Sequence, residues 1–196
     1  VFYYTKRNDL SYTVKYLEEG SDEVLADEKV VDGQIYQDTI TEYSIDISGY
    51  DKVEPTEKSI TIKVSGNEIV FYYTKRTDLS YTVKYLEETT NKVLRDEKVV
   101  NEQTYKTTVT ENAVEIAGYN KVNPTNKSIT IKVSGNEIVF YYTKRTDLSY
   151  RVEYYYNDSI NNDYTETITA TYLDVIENYT DKVKTGYKFD ILKYMI

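Results

Sequence analysis

The heptapeptide VFYYTKR, residues 1–7, occurs three times in this chain, and its spacing decides how the fold is organised. It returns at residues 70–76 and 139–145, so the interval is 69 residues both times. Self-similarity at a fixed period indicates an array of structural units. Because this period is longer than that of most solenoid repeats, each unit is expected to be a small domain with its own core.

Two full repeats can be aligned directly, since Leu10–Arg76 and Leu79–Arg145 are identical at 48 of 67 positions without a gap. The sequence from 146 restarts the same pattern in a diverged form. We therefore predict four segments. They are the terminal strand of a preceding repeat with its linker (1–9), two full repeats (10–76 and 77–145) and a diverged, truncated third repeat (146–196).

The segment between consecutive repeats is short and contains neither Pro nor Gly. In the first case it reads TKRTDLS, residues 74–80. A linker of this composition is not the flexible Gly- or Ser-rich type. Consecutive repeats are therefore expected to be held in a semi-rigid line.

The composition excludes several classes of function. The chain of 196 residues has no His and no Cys, which excludes Ser-His-Asp and Cys-His catalysis and the common zinc sites. There is no Gly-rich phosphate loop. We predict that the protein is not an enzyme and uses no cofactor or metal. The formal net charge of −9 disfavours nucleic acid as a partner, and no apolar run reaches the ~20 residues of a membrane span.

The stretch SITIKVSGNEIVFYYTK, residues 59–75, predicts the end of each repeat. A Gly-Asn pair at 66 and 67 separates two alternating runs, which is the usual signal of a β-hairpin. The predicted register places Ile62 opposite Phe71 and Ile60 opposite Tyr73 on one apolar face. VFYYTKR would then be the last strand of a repeat, with Phe71 and Tyr73 in the core.

The beginning of each repeat also predicts two strands. Tyr12, Val14 and Tyr16 alternate with polar residues, the period of a half-buried strand, and a second strand is expected across residues 24–31. The middle stretch ITEYSIDI, residues 40–47, leaves a short helix and an irregular crossover open. Gly49 is expected to adopt a positive φ in a turn. The fold class is mainly β, a small mixed sheet or β-grasp-like half-barrel.

Tyrosine is unusually frequent, with 24 residues against 4 Phe and no Trp. Tyr favours strands and combines an apolar ring with a polar hydroxyl. One interpretation is that these side chains cover the faces of a sheet. The other is that some of them form a sugar- or glycoprotein-binding surface.

The order YTVKYLEE…KVL…EKVV…GY.KV.P…SITI…GNEIVFYYTKR resembles the mucin-binding-protein (MucBP) type of repeat. The resemblance covers both full repeats and, more weakly, the third. It implies β-grasp (ubiquitin-like) modules in a wall-anchored surface protein of a Gram-positive bacterium. It also implies adhesion to host mucin or other glycoproteins, and it supplies no catalytic residue.

Two functions follow from this resemblance. In the first, the chain is the tandem-repeat region of an extracellular adhesin, in which four tyrosines stack on sugar faces: Tyr50, Tyr72, Tyr119 and Tyr141. In the second, it is a semi-rigid stalk that projects another domain from the cell wall. A further expectation is self-association by strand exchange, in which Val1–Lys6 adds to the open edge of another molecule's third repeat.

Overall fold

The computed structural model describes residues 1–176, 182 and 184–190. Across these residues the regular secondary structure consists of strands in open sheets, without a helix. The strands are β1 (Leu10–Glu18), β2 (Val24–Gln34), β3 (Thr39–Tyr43), β4 (Tyr50–Lys52), β5 (Glu57–Thr61), β6 (Glu68–Lys75), β7 (Leu79–Glu87), β8 (Val93–Gln103), β9 (Thr108–Asn112), β10 (Tyr119–Lys121), β11 (Asn126–Thr130), β12 (Glu137–Lys144), β13 (Leu148–Val152), β14 (Tyr155–Tyr156), β15 (Ser159–Ile160) and β16 (Glu166–Ala170).

The main sheet of the first repeat is mixed, with the strand order β2-β1-β6-β4. Its two central strands, β1 and β6, run parallel, in a register that extends from Thr13 opposite Glu68 to Glu18 opposite Tyr73. The outer strands are antiparallel to their neighbours, β2 to β1 and β4 to β6. Parallel neighbours need a long crossover, and residues 19–67 provide it.

The hairpin predicted at residues 59–75 is wrong. β5 pairs antiparallel with β3, where Ile60 lies opposite Ile40, whereas β6 pairs with β1 and β4. The chain turns before β6 through the side chain of Asn67. Its Oδ1 accepts a hydrogen bond from the Lys63 N–H at 2.8 Å, and its Nδ2 donates to the Lys63 carbonyl at 2.8 Å.

The middle of the repeat contains a strand where a short helix or an irregular crossover was left open. The helical alternative is wrong, because Thr39–Tyr43 form β3. Residues 44–47 lie outside the strands, and Gly49 has the predicted positive φ, at 84°. The exposure of β3 alternates along the strand, with Ile40 and Glu42 on the half-buried face.

The core of the first repeat confirms the predicted role of its first and last strands. Val14, Phe71 and Tyr73 are fully buried. The ring of Tyr16 is stacked on that of Phe71 at a centroid distance of 6.3 Å. The complete buried apolar set is Leu10, Tyr12, Val14, Tyr16, Tyr50, Ile62, Ile69, Phe71 and Tyr73. Burying these side chains supplies the hydrophobic stabilisation of a module that has no disulfide.

The second repeat has the equivalent strands. Its main sheet has the order β10-β12-β7-β8, and β11 pairs with β9. The fully buried residues Val83, Phe140 and Tyr142 occupy the positions of Val14, Phe71 and Tyr73. One period of 69 residues therefore reproduces the same pattern of burial.

Beyond residue 145 the pairing begins in the same way. β13 is antiparallel to β16, with Leu148 opposite Ala170, and β14 and β15 form a short hairpin. The predicted third repeat (146–196) includes residues 177–181, 183 and 191–196, which lie outside the described residues. At the other end of the chain, residues 1–9 form no strand.

By the density of its internal contacts the chain divides into two compact units. The first consists of Val1–Lys84, Asp96–Asn112 and Asn126–Val139, and the second of Tyr85–Arg95, Ala113–Thr125 and Phe140–Ile196. The first unit contains the whole first repeat together with β9 and β11 of the second. The second unit contains β10 and all residues from 140 onward.

Candidate functional site

A tyrosine from the second repeat packs on the first repeat within the first compact unit. The ring of Tyr105 meets that of Tyr50 edge-on, with a centroid distance of 5.6 Å and an interplanar angle of 78°. Tyr50 is only 8% exposed and belongs to the core of the first repeat. We call the group of Gly49, Tyr50, Arg76, Tyr105 and Lys106 the first joint.

Gly49 makes the close approach of Tyr105 possible. It is buried and has a φ of 84°, a conformation that favours glycine. A Cβ atom at this position would lie 2.6 Å from both Cδ1 and Cζ of the Tyr105 ring. The joint therefore requires glycine for two reasons, the backbone conformation and the space that the ring occupies.

The backbone of Arg76 connects the two sides of the first joint. Its N–H donates to the Gly49 carbonyl at 3.0 Å, and its carbonyl accepts from the Tyr105 N–H at 2.9 Å. Its guanidinium makes a two-point contact with Asp78, at 2.9 and 2.7 Å. The short linker is thus held by hydrogen bonds on both sides, in agreement with the absence of Gly and Pro.

Lys106 adds a polar contact to the first joint. Its Nζ donates to the Tyr50 hydroxyl at 3.0 Å and lies 3.4 Å from Oε1 of Glu23. The hydrogen bond to Tyr50 and the smaller effect of Glu23 raise the pKa of Lys106. Glu23 belongs to the turn in which the two repeats differ most, GSDE against TTNK. This variable turn therefore contacts the next repeat.

The second compact unit contains a second joint of the same design. The ring of Tyr172 meets that of Tyr119 at 5.5 Å and 71°. A Cβ atom at Gly118, whose φ is 81°, would lie 2.5 Å from Cδ1 of Tyr172. The Arg145 N–H donates to the Gly118 carbonyl at 2.9 Å, and the Tyr172 N–H donates to the Arg145 carbonyl at 2.8 Å. Burial is the main cause of the raised pKa of Tyr119.

The charged partners of the first joint are not repeated in the second. The residue after Tyr172 is Leu173, in the place of Lys106, and Lys92 occupies the position of Glu23. The docking of the aromatic ring is thus common to both joints, whereas the surrounding charges differ.

The four tyrosines predicted to stack on sugars fall into two groups. Tyr50 and Tyr119 lie in the joints, where another tyrosine covers an edge of each ring. Tyr72 and Tyr141 are half-buried on β6 and β12. Lys58 Nζ lies 5.9 Å from the centre of the Tyr72 ring. Only the second group offers ring surface outside a joint.

A shallow polar groove recurs in both full repeats. In the first repeat it is lined by residues 7, 9–11, 13 and 64–68, and in the second by residues 76, 78–80, 82 and 133–137. Asn67 spans the floor of the first groove, because its Nδ2 donates to the Ser11 carbonyl at 3.0 Å. Ser11 and Thr13 also line it. Side chains of this kind can form hydrogen bonds with polar ligands.

A polar cluster connects three strands of the first repeat. The Tyr12 hydroxyl donates to Oε1 of Glu42 at 2.5 Å, and Lys29 Nζ donates to the same oxygen at 2.6 Å. Burial and the neighbouring Glu42 raise the pKa of Tyr12 to about 12. Burial also raises the pKa of Glu42, but the hydrogen bonds from Lys29 and Tyr12 outweigh it and leave that pKa below its ordinary value.

The corresponding cluster of the second repeat consists of Tyr81, Glu111 and Lys98. Burial, followed by the effect of Glu111, raises the pKa of Tyr81 to about 12. The hydrogen bonds from Lys98 and Tyr81 lower the pKa of Glu111. In each cluster a neutral phenol therefore donates to a carboxylate. This contact connects strands of the repeat, which is a structural role.

Sequence reasoning did not predict the docking tyrosines of the joints, Tyr105 and Tyr172. A signal was present, because Tyr36 and Tyr105 are identical between the repeats while the residues on both sides of them differ. The Tyr36 N–H donates to the Arg7 carbonyl at 2.9 Å, as Tyr105 does to Arg76. An identical tyrosine within a divergent stretch therefore marked the contact between repeats.

No protein-family model matches the sequence, and no curated protein matches it. The chain shows a likeness to the type 2 repeat of the mucus binding protein MUB from Lactobacillus reuteri, with 14% identity and a TM-score of 0.26, over 69% of this chain and 99% of that one. The crystal structure of Mub-RV shows 13% identity and a TM-score of 0.27, over 69% of this chain and 98% of that one.

A third likeness is to SHIRT domains 3–4 of a streptococcal cell surface protein, with 12% identity and a TM-score of 0.22, over 68% of this chain and 95% of that one.

The residues that the structure describes contain neither a metal-binding cluster nor a helix long enough to span a membrane. Among them, no group of three or more acidic side chains is placed to hold a metal ion. In the same part of the chain, no helix has the length and hydropathy needed to cross a bilayer.

Proposed function

We propose that this chain is part of the non-catalytic tandem-repeat region of an extracellular, wall-attached bacterial surface protein, in which the repeats act as a jointed spacer. The observation that supports this most directly is the first joint. Tyr105 of one repeat docks on Gly49 and Tyr50 of the preceding one, and Arg76 holds the linker from both sides. A spacer needs contacts of this kind, because free linkers would let successive repeats swing.

Each repeat is proposed to be a β-grasp-like module of about 69 residues, the interval of the sequence repeat. The support is the pair of parallel central strands, β1 and β6, flanked on each side by an antiparallel strand. The long crossover between them contributes β3 and β5, which pair with each other.

The spacer proposal is tested by distances between spin labels. The chain has no cysteine, so Asp27→Cys and Asp96→Cys, at equivalent exposed positions of the two repeats, give two unique sites. We expect one narrow distance distribution, which Tyr105→Ala broadens. The control is Tyr43→Ala, which removes a tyrosine that is 63% exposed and outside the joint. Distance distributions of the same width in the Tyr105→Ala variant and in the chain that keeps Tyr105 would show that the joint does not hold the repeats.

A second candidate function is adhesion to host mucin or another glycoprotein. Tyr72 and Tyr141 present partly exposed rings at equivalent positions, and the polar groove also recurs in each full repeat. Repetition of weak sites favours binding, because linked sites can exceed the single-site affinity by ~10²–10⁴. The like charge of sialylated mucin opposes binding to a chain of net charge −9.

Adhesion is tested by binding of the chain to immobilised mucin, before and after removal of sialic acid, across a salt series. Saturable binding that is lost in the Tyr72→Ala/Tyr141→Ala variant, but kept in Tyr43→Ala, would support an adhesive surface on β6 and β12. Binding that is absent at every salt concentration would leave the spacer function alone.

Self-association by strand exchange is a separate proposal about Val1–Lys6. The side chains of Val1 to Tyr4 are between 89% and 106% exposed, whereas the same sequence in β6 buries Phe71 and Tyr73 completely. A segment with this sequence is suited to add to an open sheet edge of another molecule, such as that of the third repeat. Analytical ultracentrifugation of the chain with and without residues 1–7 tests this proposal. Self-association that persists after the deletion would contradict it.

A further inference from the structure

The strands through which the chain enters and leaves the first repeat lie side by side. The chain enters at Leu10, the first residue of β1, and leaves at Lys75, the last residue of β6. Because β1 and β6 are parallel, these two points lie at opposite ends of the pair. Tension along the chain therefore slides β1 past β6 and does not peel one strand from the other.

The hydrogen bonds between β1 and β6 would be loaded together in this direction. The ladder spans six residue pairs. At one end the Thr13 N–H donates to the Asn67 carbonyl at 3.0 Å, and at the other the Glu19 N–H donates to the Tyr73 carbonyl at 2.9 Å. A single hydrogen bond contributes little to stability. Sliding loads all of them at once, whereas peeling breaks them one after another.

Side chains strengthen both ends of the same pair. Lys15 of β1 forms an ion pair with Glu68 of β6 near one end. At the other end, Lys75 Nζ lies 3.0 Å from Oε1 of Glu18. The buried rings of Tyr16 and Phe71 stack between them. β2 pairs along the outer edge of β1, and β4 pairs with the last three residues of β6.

The second repeat contains counterparts of these contacts. The Thr82 N–H donates to the Asn136 carbonyl at 3.0 Å, and Lys84 forms an ion pair with Glu137. β7 and β12 are again the central neighbours of the sheet. The arrangement is therefore a property of the repeated sequence and not of a single copy.

We propose that each full repeat is a tension-bearing module in which the central strand pair, β1 with β6 or β7 with β12, is the mechanical clamp. This inference goes beyond the spacer function, because a spacer has only to set a distance and need not resist a load. It predicts a mechanical strength that depends on the direction of pulling.

Single-molecule force spectroscopy on the full chain tests this direction dependence. Attachment through Ser11→Cys and Thr74→Cys pulls the opposite ends of β1 and β6 and loads the pair by sliding. Attachment through Ser11→Cys and Ser65→Cys pulls neighbouring ends, since Ser11 and Ser65 line the same groove, and peels the pair apart. The native chain contributes no competing cysteine.

We expect a rupture force about twofold or more higher for sliding than for peeling at the same loading rate, because individually weak hydrogen bonds add only when loaded together. Equal forces in the two directions would overturn the proposal. Unlabelled variants are first checked for the native thermal midpoint. The equivalent second-repeat pairs, Ser80→Cys with Thr143→Cys and Ser80→Cys with Ser134→Cys, provide an independent test if a first-repeat variant does not fold.

Discussion

The first joint can be tested by adding one methyl group. Gly49→Ala places a Cβ atom 2.6 Å from two atoms of the Tyr105 ring. This distance is too short for carbon atoms in contact, so the ring has to leave its position. The substitution also forces alanine into the left-handed region, at a φ of 84°.

The expected loss of stability has two parts. The left-handed conformation costs about 1–2 kcal/mol for a residue with a Cβ. Displacing Tyr105 removes an edge-on aromatic contact that contributes ~0.5–1.5 kcal/mol beyond the area buried. It also uncovers part of Tyr50. Losing the aromatic contact and uncovering Tyr50 should together cost about 1–3 kcal/mol, which is the second part. Gly49→Ala should therefore lower the free energy of unfolding by about 2–5 kcal/mol.

Gly33→Ala is the matched control. Gly33 has a φ of 73°, and no atom lies within 4 Å of a Cβ built on it. The second repeat accommodates a side chain there, because Glu102 at the equivalent position has a φ of 58°. This variant should lose only the conformational part, about 1–2 kcal/mol.

Urea unfolding followed by far-UV circular dichroism measures both variants, and a Tyr105→Ala background completes a double-mutant cycle. Exchange of the Tyr105 amide hydrogen, which is bonded to the Arg76 carbonyl, reports on the joint directly. The reasoning is refuted if Gly49→Ala costs no more than Gly33→Ala. It is also refuted if the cost of Gly49→Ala is the same with and without Tyr105.

Three further predictions concern the first repeat and its polar cluster. Phe71→Ala removes a fully buried ring and should cost about 3–5 kcal/mol in urea unfolding. Tyr12→Phe removes one hydrogen bond to the partly buried Glu42 and should cost about 1–3 kcal/mol, measured in the same way. The third prediction concerns alkaline pH. Because Tyr12 and Tyr81 have a pKa of about 12 against the ordinary 10, stability that is fully present below pH 10 should be lost as the pH rises toward 12. Each of the two tyrosines contributes a slope of up to about 1.4 kcal/mol per pH unit.

Controls exist for each of these predictions. Tyr43→Phe alters an exposed tyrosine and should be neutral, so an equal effect would contradict the prediction for Tyr12. A Phe71→Ala variant as stable as the native chain would contradict the assignment of the core. The alkaline prediction fails if the Tyr12→Phe/Tyr81→Phe variant shows the same pH slope as the native chain.

The strands of the repeat could be predicted from local periodicity, but their partners could not. The alternation at Tyr12, Val14 and Tyr16 correctly indicated a strand with one buried face. The alternation at Ile60 and Ile62 indicated a strand equally well, yet a period of two does not specify which strand it pairs with. The local Gly-Asn signal favoured β6 as the partner of β5. In the fold, β5 pairs with β3, and β6 pairs with β1, more than fifty positions earlier in the chain.

The candidate site was only partly predictable for a similar reason. The sequence places Tyr50 in a Gly-Tyr turn, and the structure brings it against Tyr105. That contact depends on the next repeat, which no pattern within one repeat describes. The positive φ of Gly49 was predictable from turn chemistry, but the ring that fills the space above it was not.

The parts of a joint are distributed so that each repeat contributes both halves. The Gly-Tyr pair lies in the second half of one period, the Arg-Asp linker follows at its end, and the docking tyrosine lies in the first half of the next. Recombination between identical stretches such as VFYYTKR would insert or delete whole periods, and every new boundary would still join a Gly-Tyr pair to a docking tyrosine. The array could therefore change its number of repeats during evolution without having to evolve a new junction.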